Sequence, residues 1–255
     1  MKYINRALVA EFIKIRKTLG MWAAIIAPVF MVTINFLIFY SRPEIFEKSD
    51  TNPWLQFTIF SLNSWTLLMM PMFITLLTFY VNYTEHRASG WKFIYSLPLP
   101  KLSIYSAKFI ISLVIFFLTI MLYYVLNLGA IHVLAAIYPD VPFGSYNETL
   151  NLFIGFIKLF IGSIGILAIQ FFVSLLVNNF VFPIGFGVFA TIANATLLRW
   201  EHSHFIPYAY PFFSIKDLVM GTSSTFASEP LILSVLVGMA FLIGGYLIHW
   251  RVNIR

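Results

Sequence analysis

Long runs of apolar residues dominate the chain and alternate with short polar segments. Six of these runs are each long enough to cross about 30 Å of hydrocarbon as an α-helix. They cover residues 19–40, 57–81, 104–128, 152–177, 180–198 and 231–250. The pattern therefore predicts an all-α, polytopic membrane protein with six transmembrane helices, which form a single transmembrane domain over residues 1–255.

The residues before the first apolar run have the periodicity of an amphipathic helix. Ile4, Leu8, Phe12 and Ile15 recur every three or four positions, and basic residues occupy most of the positions between them. This predicts a helix over residues 1–18 that lies on the membrane surface. A solvated basic tail is the alternative. The candidate interfacial residues are Phe12, Lys14, Arg16 and Lys17.

The polar segment 82–103 is the longest connection on the side of the membrane that carries the N-terminus. It combines charged and aromatic residues with a glycine and ends in Pro98 and Pro100. This composition predicts a short surface helix followed by a turn into the third span. An ordinary basic loop is the alternative. The candidate functional residues of this segment are Glu85, His86, Arg87, Gly90, Trp91 and Lys92.

The segment 199–230 on the opposite side is long and partly apolar, but proline residues break it. It is too short to cross the membrane, so we expect a re-entrant or interfacial segment. Glu201, His202 and His204 form the only histidine cluster. Two histidines one residue apart, with no third ligand at a readable distance, favour a polar loop over a zinc site.

Composition and charge agree with a membrane location. Of 255 residues, 60% are hydrophobic and 10% charged, and no cysteine is present, which excludes disulfides and thiolate chemistry. One side of the predicted spans carries eleven basic and two acidic residues, whereas the other side carries four basic and eight acidic residues. By the positive-inside rule, we predict that both termini are cytoplasmic. The net charge of +6 therefore reflects topology rather than nucleic-acid binding.

Motifs of hydrolytic enzymes are absent from the sequence. It contains no phosphate-binding Gly-x-x-x-x-Gly-Lys-Ser/Thr loop, no His-Glu-x-x-His zinc helix and no Gly-x-Ser-x-Gly nucleophile elbow. We therefore predict no catalytic residue, no bound metal and no ATP hydrolysis by this chain alone.

Several polar residues lie within the predicted spans, where facing lipid is costly. They face other helices or a transport pathway. Lys158 has two interpretations: its ammonium extends to the nearby membrane surface, or it faces a central cavity. The candidate pathway residues are Asn35, Asn63, Thr66, Lys158, Gln170 and Asn194.

The whole layout resembles the permease subunits of type-2 ABC exporters. The resemblance rests first on the six spans and on the basic N-terminal helix, which ends in Glu11-Phe12-Ile13-Lys14-Ile15-Arg16-Lys17-Thr18. It also rests on the first loop, which contains an acid, a base, a glycine and an aromatic residue and ends in Leu97-Pro98-Leu99-Pro100-Lys101. A broken segment before the sixth span completes it. Within that group, the start of the chain and its size look most like lantibiotic-immunity and bacitracin-type permeases.

The resemblance implies a transporter subunit rather than an enzyme. Two such chains, identical or related, would sit in membrane lipids on two copies of an ABC ATP-binding subunit, which binds ATP and Mg²⁺. Residues 85–92 would form the coupling helix beside the N-terminal helix, and the cargo would be hydrophobic or amphipathic, such as an antimicrobial peptide or a lipid-like compound. The alternatives are an ion-coupled secondary transporter, which the lack of Asp and Glu in the spans disfavours, and a membrane-embedded scaffold or enzyme.

Overall fold

A computed structural model describes residues 2–47, 52–87, 100–177, 179, 181–220 and 228–251. These residues form helices, turns and connections, with no strand among them, so the predicted all-α class is confirmed. The helices are α1 (Lys2–Ile15), α2 (Leu19–Ser41), α3 (Glu44–Glu47), α4 (Pro53–Ser64), α5 (Met70–Arg87), α6 (Lys101–Ile137), α7 (Thr149–Gly162), α8 (Ile164–Leu176), α9 (Val181–Leu197), α10 (Tyr210–Met220) and α11 (Glu229–Arg251).

Five stretches among the described residues are long and apolar enough to cross a membrane. They are Leu19–Ser41, Pro53–Tyr83, Lys101–Ile137, Thr149–Leu176 and Glu229–Ile248. The remaining predicted span, 180–198, corresponds to α9, which is apolar but has 17 residues. At 1.5 Å per residue α9 is about 26 Å long, slightly less than the hydrocarbon thickness. A sixth span at α9 therefore stays a prediction.

Hydrogen bonds show which helix ends meet. Near one end, the side chain of Asn82 in α5 donates to Ser174 Oγ in α8 at 2.8 Å, close to where α1 packs. We call this end the α1 end. At the opposite end, Trp54 Nε1 donates to the Phe143 carbonyl at 3.0 Å, and Tyr138 donates to the Tyr40 carbonyl at 2.7 Å. Successive long helices therefore alternate in direction.

The second spanning stretch contains a π-helical turn at Trp65–Met69, between α4 and α5. The turn directly precedes Pro71, whose ring displaces the carbonyl one turn earlier and which lacks an N–H group. The chain accommodates this with wider hydrogen bonding, in which the Met70 N–H donates to the Trp65 carbonyl. The π turn also contacts α9.

The fourth spanning stretch is interrupted at Ser163, between α7 and α8. The small residues on either side permit close helix contacts. A Cβ on Gly162 would lie 3.2 Å from the Cα of Pro211 in α10, and a Cβ on Gly165 would lie 3.1 Å from the Ser234 carbonyl in α11. Ser234 Oγ also accepts from the Gly165 N–H at 2.9 Å. These two glycines therefore let α10 and α11 approach the fourth spanning stretch closely.

Helix α6 extends well beyond the predicted third span. It has 37 residues, about 56 Å, and continues to Ile137, whereas the sequence pattern assigned residues 129–151 to a polar connection. The extension remains helical because Ala130, Ile131 and Leu134 are buried in the hydrophobic core, at the end of the bundle opposite the α1 end. The helix thus supports the connections on that side as well as crossing the membrane.

The segment between α9 and α10 turns back into the bundle. Three consecutive residues of this segment, Tyr208, Ala209 and Tyr210, are buried within the helix bundle. The Tyr208 hydroxyl accepts from Gln170 Nε2 at 2.6 Å, and Gln170 lies only six residues before the end of α8 at the α1 end. From this turn α10 returns along α7. We call residues 198–209 the re-entrant segment because they fold back into the bundle, whereas their position in a membrane stays a prediction.

Candidate functional site

Helix α1 docks on the bundle through a narrow stripe of residues. Ala7, Glu11 and Ile15 are spaced four apart and are buried, and the helix packs along α6 and against α5. Phe12 is 47% exposed and does not share the buried face with Ile15, so its predicted place at the membrane interface stays a prediction. Relative to the apolar positions Leu8 and Phe12, the buried positions Ala7 and Glu11 are shifted by one residue, because the charged Glu11 contacts the bundle.

The exposed side of α1 keeps the composition of a membrane-surface helix. Tyr3, Val9, Phe12 and Ile13 are exposed apolar residues. The predicted interfacial residues Lys14, Arg16 and Lys17 are also exposed. Apolar side chains beside basic ones suit the boundary between acyl chains and anionic headgroups. The helix thus presents one face to protein and another to its surroundings.

A buried ion pair joins α1 to α6. Lys108 is fully buried and Glu11 is 5% exposed, and Lys108 Nζ donates to Glu11 Oε2 at 2.8 Å. The same ammonium donates to the Val81 carbonyl in α5, also at 2.8 Å. The other carboxylate oxygen of Glu11 accepts from Lys14 Nζ at 2.7 Å, at the protein surface. One carboxylate therefore contacts a buried and an accessible cation.

This ion pair lies next to the segment predicted to be functional. Val81 is six residues before the end of α5, and Lys108 is seven residues after the start of α6. Glu85, His86 and Arg87 belong to the last turn of α5, whereas Gly90, Trp91 and Lys92 lie outside the described residues. Both helices that bound the predicted coupling segment therefore meet α1 at one ammonium group.

Sequence reasoning missed the pairing. It counted Lys108 among the basic residues that set topology, and Glu11 as one of two acids on that side. Two signals were present: Lys108 lies inside the apolar run 104–128, and Glu11 stands four residues from both Ala7 and Ile15 on one helix face. A buried charge in an apolar run requires a partner.

Among the candidate pathway residues, Asn35 belongs to a polar group between α2, α4 and α6. Its Nδ2 donates to Ser61 Oγ at 3.0 Å, and Ser61 Oγ lies 2.6 Å from the Tyr123 hydroxyl. Asn63 is half-buried, and Thr66 is buried with its hydroxyl donating to the Leu62 carbonyl. These bonds satisfy most of the polar atoms, which is typical of helix packing.

Gln170 belongs to a second polar group, between α5, α8, α9 and the re-entrant segment. Besides the bond from Gln170 to Tyr208, a Cβ on Gly187 would collide with Thr75 and would lie 2.7 Å from Gln170 Nε2. Asn194 lies on the Gly187 face of α9 and is buried, and its Oδ1 has no hydrogen-bond partner in the described structure. Asn35 and Gln170, two of the candidate pathway residues, thus belong to different polar groups.

Lys158 lies inside the bundle. It is 4% exposed and shares a face of α7 with Gly155 and Gly162, and Gly162 packs on α10. Burial favours an interior role over a side chain that extends along the lipid-facing surface. The histidine cluster has a surface arrangement, in which His204 Nδ1 lies 3.2 Å from the Glu201 carbonyl. No group of three metal-ligating side chains occurs among the described residues.

Comparison with known families gives one match. A family model described as ABC-2 family transporter protein matches residues 7–194, from α1 through most of α9, which is more than half of the chain. No curated protein and no solved structure matches the chain. The match includes the buried ion pair, the segment between α5 and α6, and both polar groups apart from Tyr208.

Proposed function

The chain belongs to the ABC-2 family of transporter proteins, and we propose that it is the permease subunit of an exporter in a bacterial inner membrane. Membership makes it a multi-pass membrane component that associates with an ABC ATP-binding partner. The observation that carries the finer proposal is the α1 end of the bundle. There a membrane-surface helix and both helices bounding a charged segment meet at one point.

Energy for transport comes from a separate protein. The sequence has no phosphate-binding loop, so ATP and Mg²⁺ are bound by the partner subunit, which we propose is present in two copies. Two permease chains, identical or related, complete the assembly. Basic residues predominate at the α1 end, which supports a cytoplasmic location for that end and for both termini.

The coupling segment is residues 85–92 in this proposal. It begins in the last turn of α5 and carries an acid, three basic or titratable residues and a tryptophan. Charged groups make directional contacts with a soluble partner, and tryptophan suits the membrane boundary. ATP-driven closure of the partner would push on this segment and shift the attached helices between two arrangements.

The cargo we propose is hydrophobic or amphipathic, such as an antimicrobial peptide or a lipid-like compound. An open groove of about 550 Å³ lies between α2 and α6. Its lining is almost entirely apolar and suits a hydrocarbon chain; it includes Val32, Phe36, Val125 and Val133. The spans contain no Asp or Glu to relay protons, which supports ATP-driven export over an ion-coupled secondary transporter.

Co-purification tests the proposal. The chain would be purified from native membranes in mild detergent, and the associated ATP-binding subunit and its ATPase activity measured. We expect the wild type to retain the subunit. The double variant Glu85→Ala/Arg87→Ala should retain at least about tenfold less, which corresponds to a loss of ~1.4 kcal/mol of binding energy.

A matched control separates the coupling site from a general loss of charge. Arg42→Ala/Glu44→Ala also removes one base and one acid, both exposed, but at the opposite end of the bundle. This variant should retain the ATP-binding subunit as the wild type does. Absence of any ATPase from the wild type, even after chemical cross-linking, would contradict the proposed function.

A further inference from the structure

We propose that the Glu11–Lys108 ion pair is the joint that fixes α1 to α5 and α6, so that a displacement of the segment between these two helices carries α1 with it. This inference rests on the proposed function, because it assumes that the segment between α5 and α6 is displaced by an ATP-binding partner. It assigns a role to residues outside the coupling segment itself. Glu11 and Lys108 are positioning residues in this scheme. They touch neither nucleotide nor cargo, and they act through the helices that they join.

The burial of the pair is the first argument. Lys108 is fully buried and Glu11 nearly so. Removing two charges from water is unfavourable, and this cost is offset only by good geometry and further hydrogen bonds. Lys108 meets this requirement with two bonds of 2.8 Å to different elements. A well-packed apolar pair would hold α1 at lower cost, so the charges specify one docking position rather than simply adding stability.

The convergence of elements is the second argument. The ammonium of Lys108, in α6, can only donate hydrogen bonds, and it donates to the Val81 carbonyl in α5 and to the Glu11 carboxylate in α1. The two helices on either side of that segment are therefore joined to each other and to α1 by a single group. A push on that segment moves Val81 and Lys108 together, and Glu11 follows because its carboxylate is bonded to the same ammonium.

The division of α1 into two faces is the third argument. Its exposed residues Val9, Phe12 and Ile13 are apolar and suit membrane lipid, whereas its buried stripe contains one charged residue, Glu11. Membrane binding alone does not require a buried carboxylate. The placement is explained if α1 must follow the bundle while its other face slides along the bilayer surface.

A cysteine reporter tests the joint without disturbing it. The chain contains no cysteine, so Ala7→Cys introduces a single thiol. Ala7 is 8% exposed on the docked face, one turn before Glu11. The rate of maleimide labelling of this thiol, in the purified full-length protein, measures how often α1 leaves the bundle. The same preparations would be examined by size-exclusion chromatography to establish that they are folded.

Four variants would be made in the Ala7→Cys background. Glu11→Gln and Lys108→Met each leave one buried charge without its partner, and should raise the labelling rate at least about tenfold. Glu11→Gln/Lys108→Met leaves no buried charge but also lacks the bond, so it should label faster than the parent but much more slowly than the product of the two single effects predicts. Lys14→Gln removes the accessible partner of the same carboxylate and should also stay within about threefold.

Unchanged labelling in both single variants, or a double variant whose effect equals the product of the single effects, would overturn the proposal. If the single variants fail to fold, Glu11→Asp serves instead. It keeps the charge but withdraws the carboxylate by about one C–C bond, ~1.5 Å, and should raise labelling a few-fold. Equal labelling of Glu11→Asp and the parent would likewise overturn it.

A second readout addresses coupling rather than docking. ATP turnover per assembled complex should fall at least about fivefold in each single variant and stay low in the double variant, because none of the three keeps the bond between Glu11 and Lys108. A purely structural role would lower the yield of complex but leave turnover per complex unchanged. If the wild type retains no ATP-binding subunit, the proposed function fails and the coupling role with it, whereas the labelling result still shows whether the pair docks α1.

Discussion

Trp65→Ala is expected to destabilise the protein by about 3 kcal/mol. Trp65 is fully buried in the π turn and stacks on Tyr123, with ring centroids 4.4 Å apart and planes inclined by 25°. Truncation leaves a void that the stiff helices around it cannot fill. The effect lies at the low end of the range for such truncations, because lipid offers an unfolded membrane helix an environment as apolar as the core. Thermal unfolding in detergent measures it.

Trp22 provides the matched control. It is also a tryptophan in a spanning helix, but it is 59% exposed on the surface of α2. Trp22→Ala should therefore change the unfolding midpoint little, since no internal contacts are lost. Equal destabilisation by the two substitutions would show that Trp65 is not packed between the helices as described.

Gly187→Ala is the second substitution with a large expected effect, a loss of about 3 kcal/mol. The added Cβ would lie 2.7 Å from Gln170 Nε2 and would collide with the stiff, β-branched side chain of Thr75. Because Gln170 donates to the Tyr208 hydroxyl, its displacement also breaks the bond that holds the re-entrant segment. Two buried polar groups would then lack partners, which adds to the cost.

Gly185 in the same helix is the control for Gly187. A Cβ on Gly185 would meet nothing within 4 Å. Because alanine favours the helix over glycine, Gly185→Ala should raise stability slightly, by roughly 0.5–1 kcal/mol. The comparison would be read from the unfolding midpoints of both variants. A neutral Gly187→Ala variant would mean that α9 does not pack closely against α5 and α8.

The helices themselves were predictable from sequence, because lipid imposes long apolar runs and internally satisfied backbones. The run 19–40 corresponds to α2 at Leu19–Ser41 within one residue. Outside the hydrocarbon this constraint disappears. Residues 129–137 were assigned to a connection, but they continue α6 because Ile131 and Leu134 are buried against another segment. Such tertiary contacts leave no periodic signal in a local window.

Much less of the candidate site could be predicted. The basic face of α1 was visible as a pattern, yet the rotation that buries Glu11 and exposes Phe12 depends on Lys108, 97 positions away. Charge counts sort residues by membrane side and cannot distinguish a topological lysine from a paired one. The π turn could be anticipated only as a distortion at Pro71, since the choice between a kink and a wider turn depends on neighbouring helices.

Cross-linking from the segment after α5 tests the central claim most directly. In the cysteine-free chain, His86→Cys places one thiol in the proposed coupling segment, and Gly144→Cys places one on an exposed turn at the opposite end. Each variant, in native membranes, would be treated with a short thiol-to-amine cross-linker. The account predicts that His86→Cys captures an ABC ATP-binding subunit and that Gly144→Cys does not. Capture from Gly144→Cys, with none from His86→Cys, would contradict it.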